Sequence, residues 1–125
     1  MRVRTAFRAL SLTAFAVPCL LPAVGCHSYH VETTVENRTG GAIHLLEVDY
    51  PSASFGANNL PANATFHYRI QLRGNGPIKV QYTASDGRQT QLEGPTVSEP
   101  QEGQLAIVLL PGGRANFLPK LTQGP

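Results

Sequence analysis

Four histidines, His27, His30, His44 and His67, are the side chains of this chain best suited to gathering a metal ion. Zinc or copper would need two or three of these imidazoles to converge on one point. Their spacing does not require it, because His27 and His30 stand at the start of the first alternating segment while His44 and His67 fall in two later ones. A metal- or small-ligand-binding role through the histidines is therefore the second reading, behind isolated imidazoles on polar strand faces. Glu47 and Asp49 lie two apart on one face. Paired carboxylates can do acid and base work, but these two border polar turns and read as solvated strand charges. The spacings that hydrolases, kinases and zinc enzymes use do not occur: there is no G-x-S-x-G, G-x-x-x-x-G-K, H-E-x-x-H or C-x-x-C. Gly74-Asn75-Gly76 matches part of a dinucleotide fingerprint, yet it lacks the third glycine and runs into Pro77, as a turn would. The chain reads as non-enzymatic with no cofactor, and a secreted enzyme of unrecognised type ranks third.

The other reactive group is a thiol. Arg2, Arg4 and Arg8 open the chain, Ala9 to Ala23 form an apolar run, and Ala23-Val24-Gly25-Cys26 ends it with small residues before a cysteine. That layout is a secretory signal, so residues 1–25 are set aside from fold reasoning. The segment resembles the leader of a bacterial lipoprotein precursor, with Ala23 where that family usually carries a large aliphatic residue. The resemblance implies a diacylglyceryl group on the Cys26 thiol, which becomes the new N-terminus, and a location in the cell envelope. His27, rather than Asp, follows the cysteine, which among enterobacterial members of that family favours the outer membrane, facing the periplasm. The same residues satisfy the small-x-small rule of ordinary secretion, which would leave a soluble periplasmic or secreted product. As an uncleaved anchor the run is poor, since it contains Pro18 and Pro22 and falls short of the roughly 20 residues that span a bilayer.

Removing the leader changes the charge. Seven basic residues and all eight acidic ones follow Cys26, a net charge of −1 against +2 for the whole chain. Such a near-neutral domain has no basic face for nucleic acid. Cys19 leaves with the leader, so no disulfide can form within the mature domain. A chain of about 100 residues without cross-links must rely on one core, burying roughly two thirds of its unfolded surface.

Period-two alternation recurs after Cys26, with turn residues between the runs and no long stretch of helical period. Val31, Thr33 and Val35 alternate with His30, Glu32, Thr34 and Glu36; Phe66, Tyr68, Ile70 and Leu72 alternate with His67, Arg69, Gln71 and Arg73. Ala42 to Tyr50 is apolar on both faces, with Ile43 and Leu45 on one side and Leu46, Val48 and Tyr50 on the other, which predicts partial burial of both. Ile78 to Ala84, Leu105 to Leu110 and Arg114 to Leu118 complete the strands. About seven short strands imply two packed antiparallel sheets, a small sandwich similar to immunoglobulin and fibronectin type III domains, with a small β-barrel as the alternative. The divisions expected are a signal peptide over 1–25, a tether over 26–29, the sandwich over 30–120 and a flexible tail over 121–125.

One hairpin register follows from pairing alone. A three-residue loop, Ser85-Asp86-Gly87 with Gly87 left-handed, sets Val80 opposite Leu92, Tyr82 opposite Thr90 and Lys79 opposite Glu93, whereas a two-residue loop would oppose Val80 to Glu93. Asn37-Arg38-Thr39 and Asn63-Ala64-Thr65 match the glycosylation sequon but read as turns. Tyr50 to Pro61 lacks a clear strand pattern and is expected as a crossing loop, with Tyr50, Phe55, Asn58 and Asn59 as candidate binding residues and Phe55 equally suited to the core. Only His27-Ser28-Tyr29 separates Cys26 from the first strand, a reach of about 10 Å. The function expected is a lipid-anchored envelope domain that contacts the membrane through its lipid and a protein or cell-wall partner through a sheet edge or this loop.

Overall fold

The alternating segments form strands over residues 28–125, which are those the computed structural model describes; the expectations for the leader, Cys26 and His27 lie outside them. The strands are β1 (His30–Asn37), β2 (Ile43–Tyr50), β3 (Ala53–Leu60), β4 (Thr65–Gln71), β5 (Asn75–Thr83), β6 (Gln89–Ser98), β7 (Gln101–Leu110) and β8 (Arg114–Gln123). They make two four-stranded sheets, ordered β4-β1-β7-β8 and β3-β2-β5-β6. The fold is therefore the expected all-β, two-sheet sandwich, and not a closed barrel. Every neighbouring pair is antiparallel except β1 and β7, which run parallel. Odd-numbered strands rise from the pole where both ends of the described chain, Tyr29 and Pro125, meet, and even-numbered strands return to it.

The inward positions of each strand form one core. Val31, Val35, Ile70, Leu105, Ile107 and Leu109 face Ile43, Leu46, Val48, Ile78, Val80 and Val97, all buried. Burying each such side chain contributes roughly 1.5–3 kcal/mol, the main favourable term in a domain without a disulfide. Aromatic rings close the two open sides of the sandwich. On one side Phe55 of β3 stacks on Tyr68 of β4 at 4.5 Å and on Phe66 at 6.0 Å between ring centroids. On the other, the ring of Phe117 in β8 lies against Gly94 in β6, where an added Cβ would stand 2.5 Å from it. Any larger residue at Gly94 would have to displace that ring.

The β5–β6 hairpin adopts the bulged register. Val80 pairs with Leu92, Tyr82 with Thr90 and Lys79 with Glu93. Gly87 is left-handed at φ 88°, and its N–H donates to the Ala84 carbonyl at 2.9 Å. The Asp86 side chain accepts from the Arg88 N–H at 3.0 Å, fixing the turn.

Four expectations are corrected. Tyr50 to Pro61 is not a loop: after a tight turn at Pro51-Ser52 it forms the edge strand β3, an eighth strand whose small and amide side chains hide the alternation. Strand β2 does not bury both faces either. It carries a bulge between His44 and Glu47, where Leu45 is left-handed at φ 52° and 66% exposed. The extra residue resets the phase, so Ile43, Leu46 and Val48 all point inward. Nor do residues 121–125 form a loose tail, because β8 continues to Gln123, the Gly124 N–H donates to the Pro100 carbonyl at 2.7 Å and the Tyr29 hydroxyl donates to the Pro125 carbonyl at 3.0 Å. Tyr29, expected in the tether, packs against the core instead, and the Leu72 N–H donates to its carbonyl at 2.8 Å.

At the opposite pole one buried amide joins the sheets. The Asn37 side chain is fully buried and its Nδ2 donates to the carbonyls of Gly41, Leu60 and Pro61 at 2.8, 3.0 and 3.1 Å. Its Oδ1 accepts from the Thr39 N–H and hydroxyl at 3.1 and 2.7 Å. The sequon at Asn37 is thus a structural turn whose amide nitrogen is enclosed. Asn37→Ala leaves several buried partners unpaired and is expected to cost about 3 kcal/mol, read as a lower urea midpoint at unchanged slope. Leu45→Gly should do the reverse, raising the midpoint through a gain of about 0.5–1 kcal/mol in unfolding free energy, because the left-handed conformation no longer carries a Cβ.

Candidate functional site at the β3 edge

Strand register places a mixed polar and aromatic surface along β3 and its neighbours. On the outer face of the second sheet, Ser54, Asp49, Lys79 and Glu93 form one cross-strand row, and Gly56, Glu47, Gln81 and Gln91 the next. Beyond them, Leu45 and Asn58 are the residues passed over between the Leu46–Ala57 and His44–Asn59 pairs. A shallow groove of about 330 Å³ runs beside Leu45 and Glu47, floored by Gln81, Thr83, Gln89 and Gln91.

Gly56 is required by the bulge beside it. An added Cβ there would collide with the Leu46 carbonyl oxygen, so β3 has no side chain opposite Glu47. The first row holds a cation between two carboxylates, whereas the row through Glu47 holds none. The Asp49 carboxyl is held above its ordinary range by burial first, then by a hydrogen bond to Glu47 and the charge of Glu47, with Lys79 acting in the opposite sense.

Of the binding residues expected from sequence, Asn58 and Asn59 are exposed on β3. Phe55 is 7% exposed and belongs to the core, which removes it as a contact residue. Tyr50 is half-buried, its ring 6.3 Å from Phe55. Burial raises its hydroxyl above the usual range, and the adjoining Tyr68 phenol adds to the shift. The seam leaves Tyr68 40% exposed at the rim. Sequence alternation pointed Tyr68 inward correctly; that β4 would lie at an edge was not visible in it.

The three described histidines are not brought together. His30 and His67 lie on the outer face of the first sheet, paired with Gln71 and Thr34, while His44 lies on the second sheet opposite Thr83. Among the described residues no group of three or more His, Cys, Asp or Glu is placed to hold a metal ion, and no helix is long and apolar enough to cross a membrane. The site's chemistry is that of hydrogen-bonding backbone, aromatic surface and carboxylate charge.

These features define a β-sandwich domain with one open, polar-aromatic edge. No family model matches the chain, and no curated protein does. A protein from Eubacterium rectale solved by NMR has a similar structure, with a TM-score of 0.52 and 13% identity, covering 76% of this chain and 90% of that one. At that identity the likeness concerns the fold alone.

A carboxyl whose folded pKa is raised binds more protons folded than unfolded at pH values between its two pKa values, so its contribution to stability worsens as pH rises through that window and is restored as pH falls. Asp49→Asn is therefore expected to raise the melting temperature at pH 7, with the gain over the parent chain shrinking as both are acidified towards the carboxylate range. An equal gain at every pH would assign the effect to packing instead.

Proposed function

We propose that the chain is a lipid-anchored domain of the bacterial cell envelope with a non-catalytic binding or structural role. Its anchor is the diacylglyceryl-bearing Cys26, and its place is the outer membrane, facing the periplasm. The leader of residues 1–25 and the small residues before Cys26 support the lipidation, as the resemblance to lipoprotein precursors implies. The observation that carries the reading is the pinning of Tyr29, whose ring lies on Gly124 and whose carbonyl and hydroxyl are both engaged. With Tyr29 held, only His27 and Ser28 separate the cysteine from the packed domain. Two extended residues reach about 7 Å, so the pole holding both chain ends sits close to the bilayer. Several acyl chains at roughly 0.8 kcal/mol per buried methylene make such attachment effectively permanent.

The intact mass of the mature chain from membranes should equal that of residues 26–125 plus acyl groups. Cys26→Ser should move the protein to the soluble fraction. A mature chain that begins elsewhere, or at an unmodified Cys26, refutes the anchor.

A further inference from the structure

The four sheet edges are not alike. Strands β6 and β8, which flank the Gly94–Phe117 side, carry Pro95 and Pro119 together with Glu93, Arg114 and Lys120. Proline and charge are what proteins place on an edge to prevent another strand from pairing with it. On the opposite side β4 carries Arg69, paired with Glu32 at 3.3 Å. Strand β3 has neither device: Ala53–Leu60 contains no charged residue and no proline. Among the described residues it pairs with β2 along one side only, since it ends the strand order of its sheet. Its other side is a row of backbone donors and acceptors.

We infer that β3 accepts an extended segment of a partner protein as an added strand, with basic side chains turned to the Glu47–Asp49 face and apolar side chains turned to Tyr68. Charge complementarity selects that occupant. A strand added to β3 would lie about 4.8 Å outside it and about 10 Å from β2. Because Gly56 leaves Glu47 uncovered, a Lys or Arg on the added strand reaches across the gap to a carboxylate whose row has no cation. Alternate residues of the same strand face the other way and cover the exposed ring of Tyr68. A second copy of β3 fits this edge poorly, as it would bring neither a cation to Glu47 nor a large side chain free to cover Tyr68. The inference rests on the binding role proposed above and is independent of the lipid: a chain without acyl groups would refute the anchor and leave this measurement intact.

The probe is a labelled eight-residue peptide of alternating Lys and Val, titrated into the full chain purified from membranes in non-ionic detergent, with alternating Glu and Val as the comparison. Saturable binding of the Lys-Val peptide that shifts the amide resonances of Ala53–Leu60 is expected. Glu47→Gln and Ser54→Lys should each weaken it by about tenfold without lowering the melting temperature. No binding, equal binding of the Glu-Val peptide, or resonance shifts confined to β4, β6 or β8 would overturn the inference. A concentration-dependent dimer abolished by Ser54→Lys would overturn it too, by placing a second copy on the edge.

Discussion

The side chain of Asn37 is the constraint on which the rest of this sandwich turns. It ends β1 in one sheet, yet its amide nitrogen binds the carbonyl that ends β3 in the other and those of both adjoining turns. Its backbone completes the junction, with its N–H donating to Ala64 and its carbonyl accepting from Asn63. Apolar packing holds two sheets face to face without fixing how they slide, because hydrophobic attraction has no direction. A buried amide with all its partners engaged does have direction, and an imperfect arrangement would leave several buried carbonyls unpaired. Asn37 thus sets the relation of the sheets at one pole, as Tyr29 with Gly124 and Pro125 ties the chain ends at the other.

What could be read from the sequence divides along a physical line. The β5–β6 register was legible to the residue because it depends only on which side chains oppose one another across a short turn. The two-sheet architecture was legible because alternation in β1, β4 and β5 is regular. Strand β3 was not, since Ser, Gly, Ala and Asn have weak strand preference and an edge strand needs few apolar residues. The phase of β2 was not legible either: Leu45 is an apolar residue in an apolar run, and only the three-residue step from Ile43 to Leu46 betrays a bulge. At β8 the expected strand stopped at Leu118, whereas it continues through Pro119 to Gln123, because an edge strand tolerates a proline whose nitrogen faces outward.

The candidate site shows the same division. Tyr50, Asn58 and Asn59 were candidates because their types suit recognition, and Phe55 was one for the same reason although packing consumes it. Tyr68, Gly56 and Glu47 acquire meaning only from strand order, which places a ring at a rim, a gap beside a bulge and a carboxylate behind that gap. The histidines point the opposite way. Their type suggests a ligand set, and strand order places His44 on a different sheet from His30 and His67.

Departures from regular structure occur on both sides of this domain: β5 shifts register against β6 between Pro77 and Lys79, and an added Cβ at Gly103 in β7 would collide with the Lys120 carbonyl. The left-handed Leu45, the collision that forces Gly56 and the raised carboxyl of Asp49 all lie on β2 or beside it, next to the edge that carries neither charge nor proline. On the far side, where Gly94 makes room for Phe117, both edge strands are guarded. Local strain and like-charge crowding each cost stability, and sequences that fold well are otherwise consistent at every level. A domain built only to pack would gain by replacing Leu45 with glycine, by separating Glu47 from Asp49 and by placing a lysine on β3. That a left-handed residue and a like-charge pair both border the one unguarded edge, while both edge strands on the far side are guarded, is the physical reason to look for its partner there.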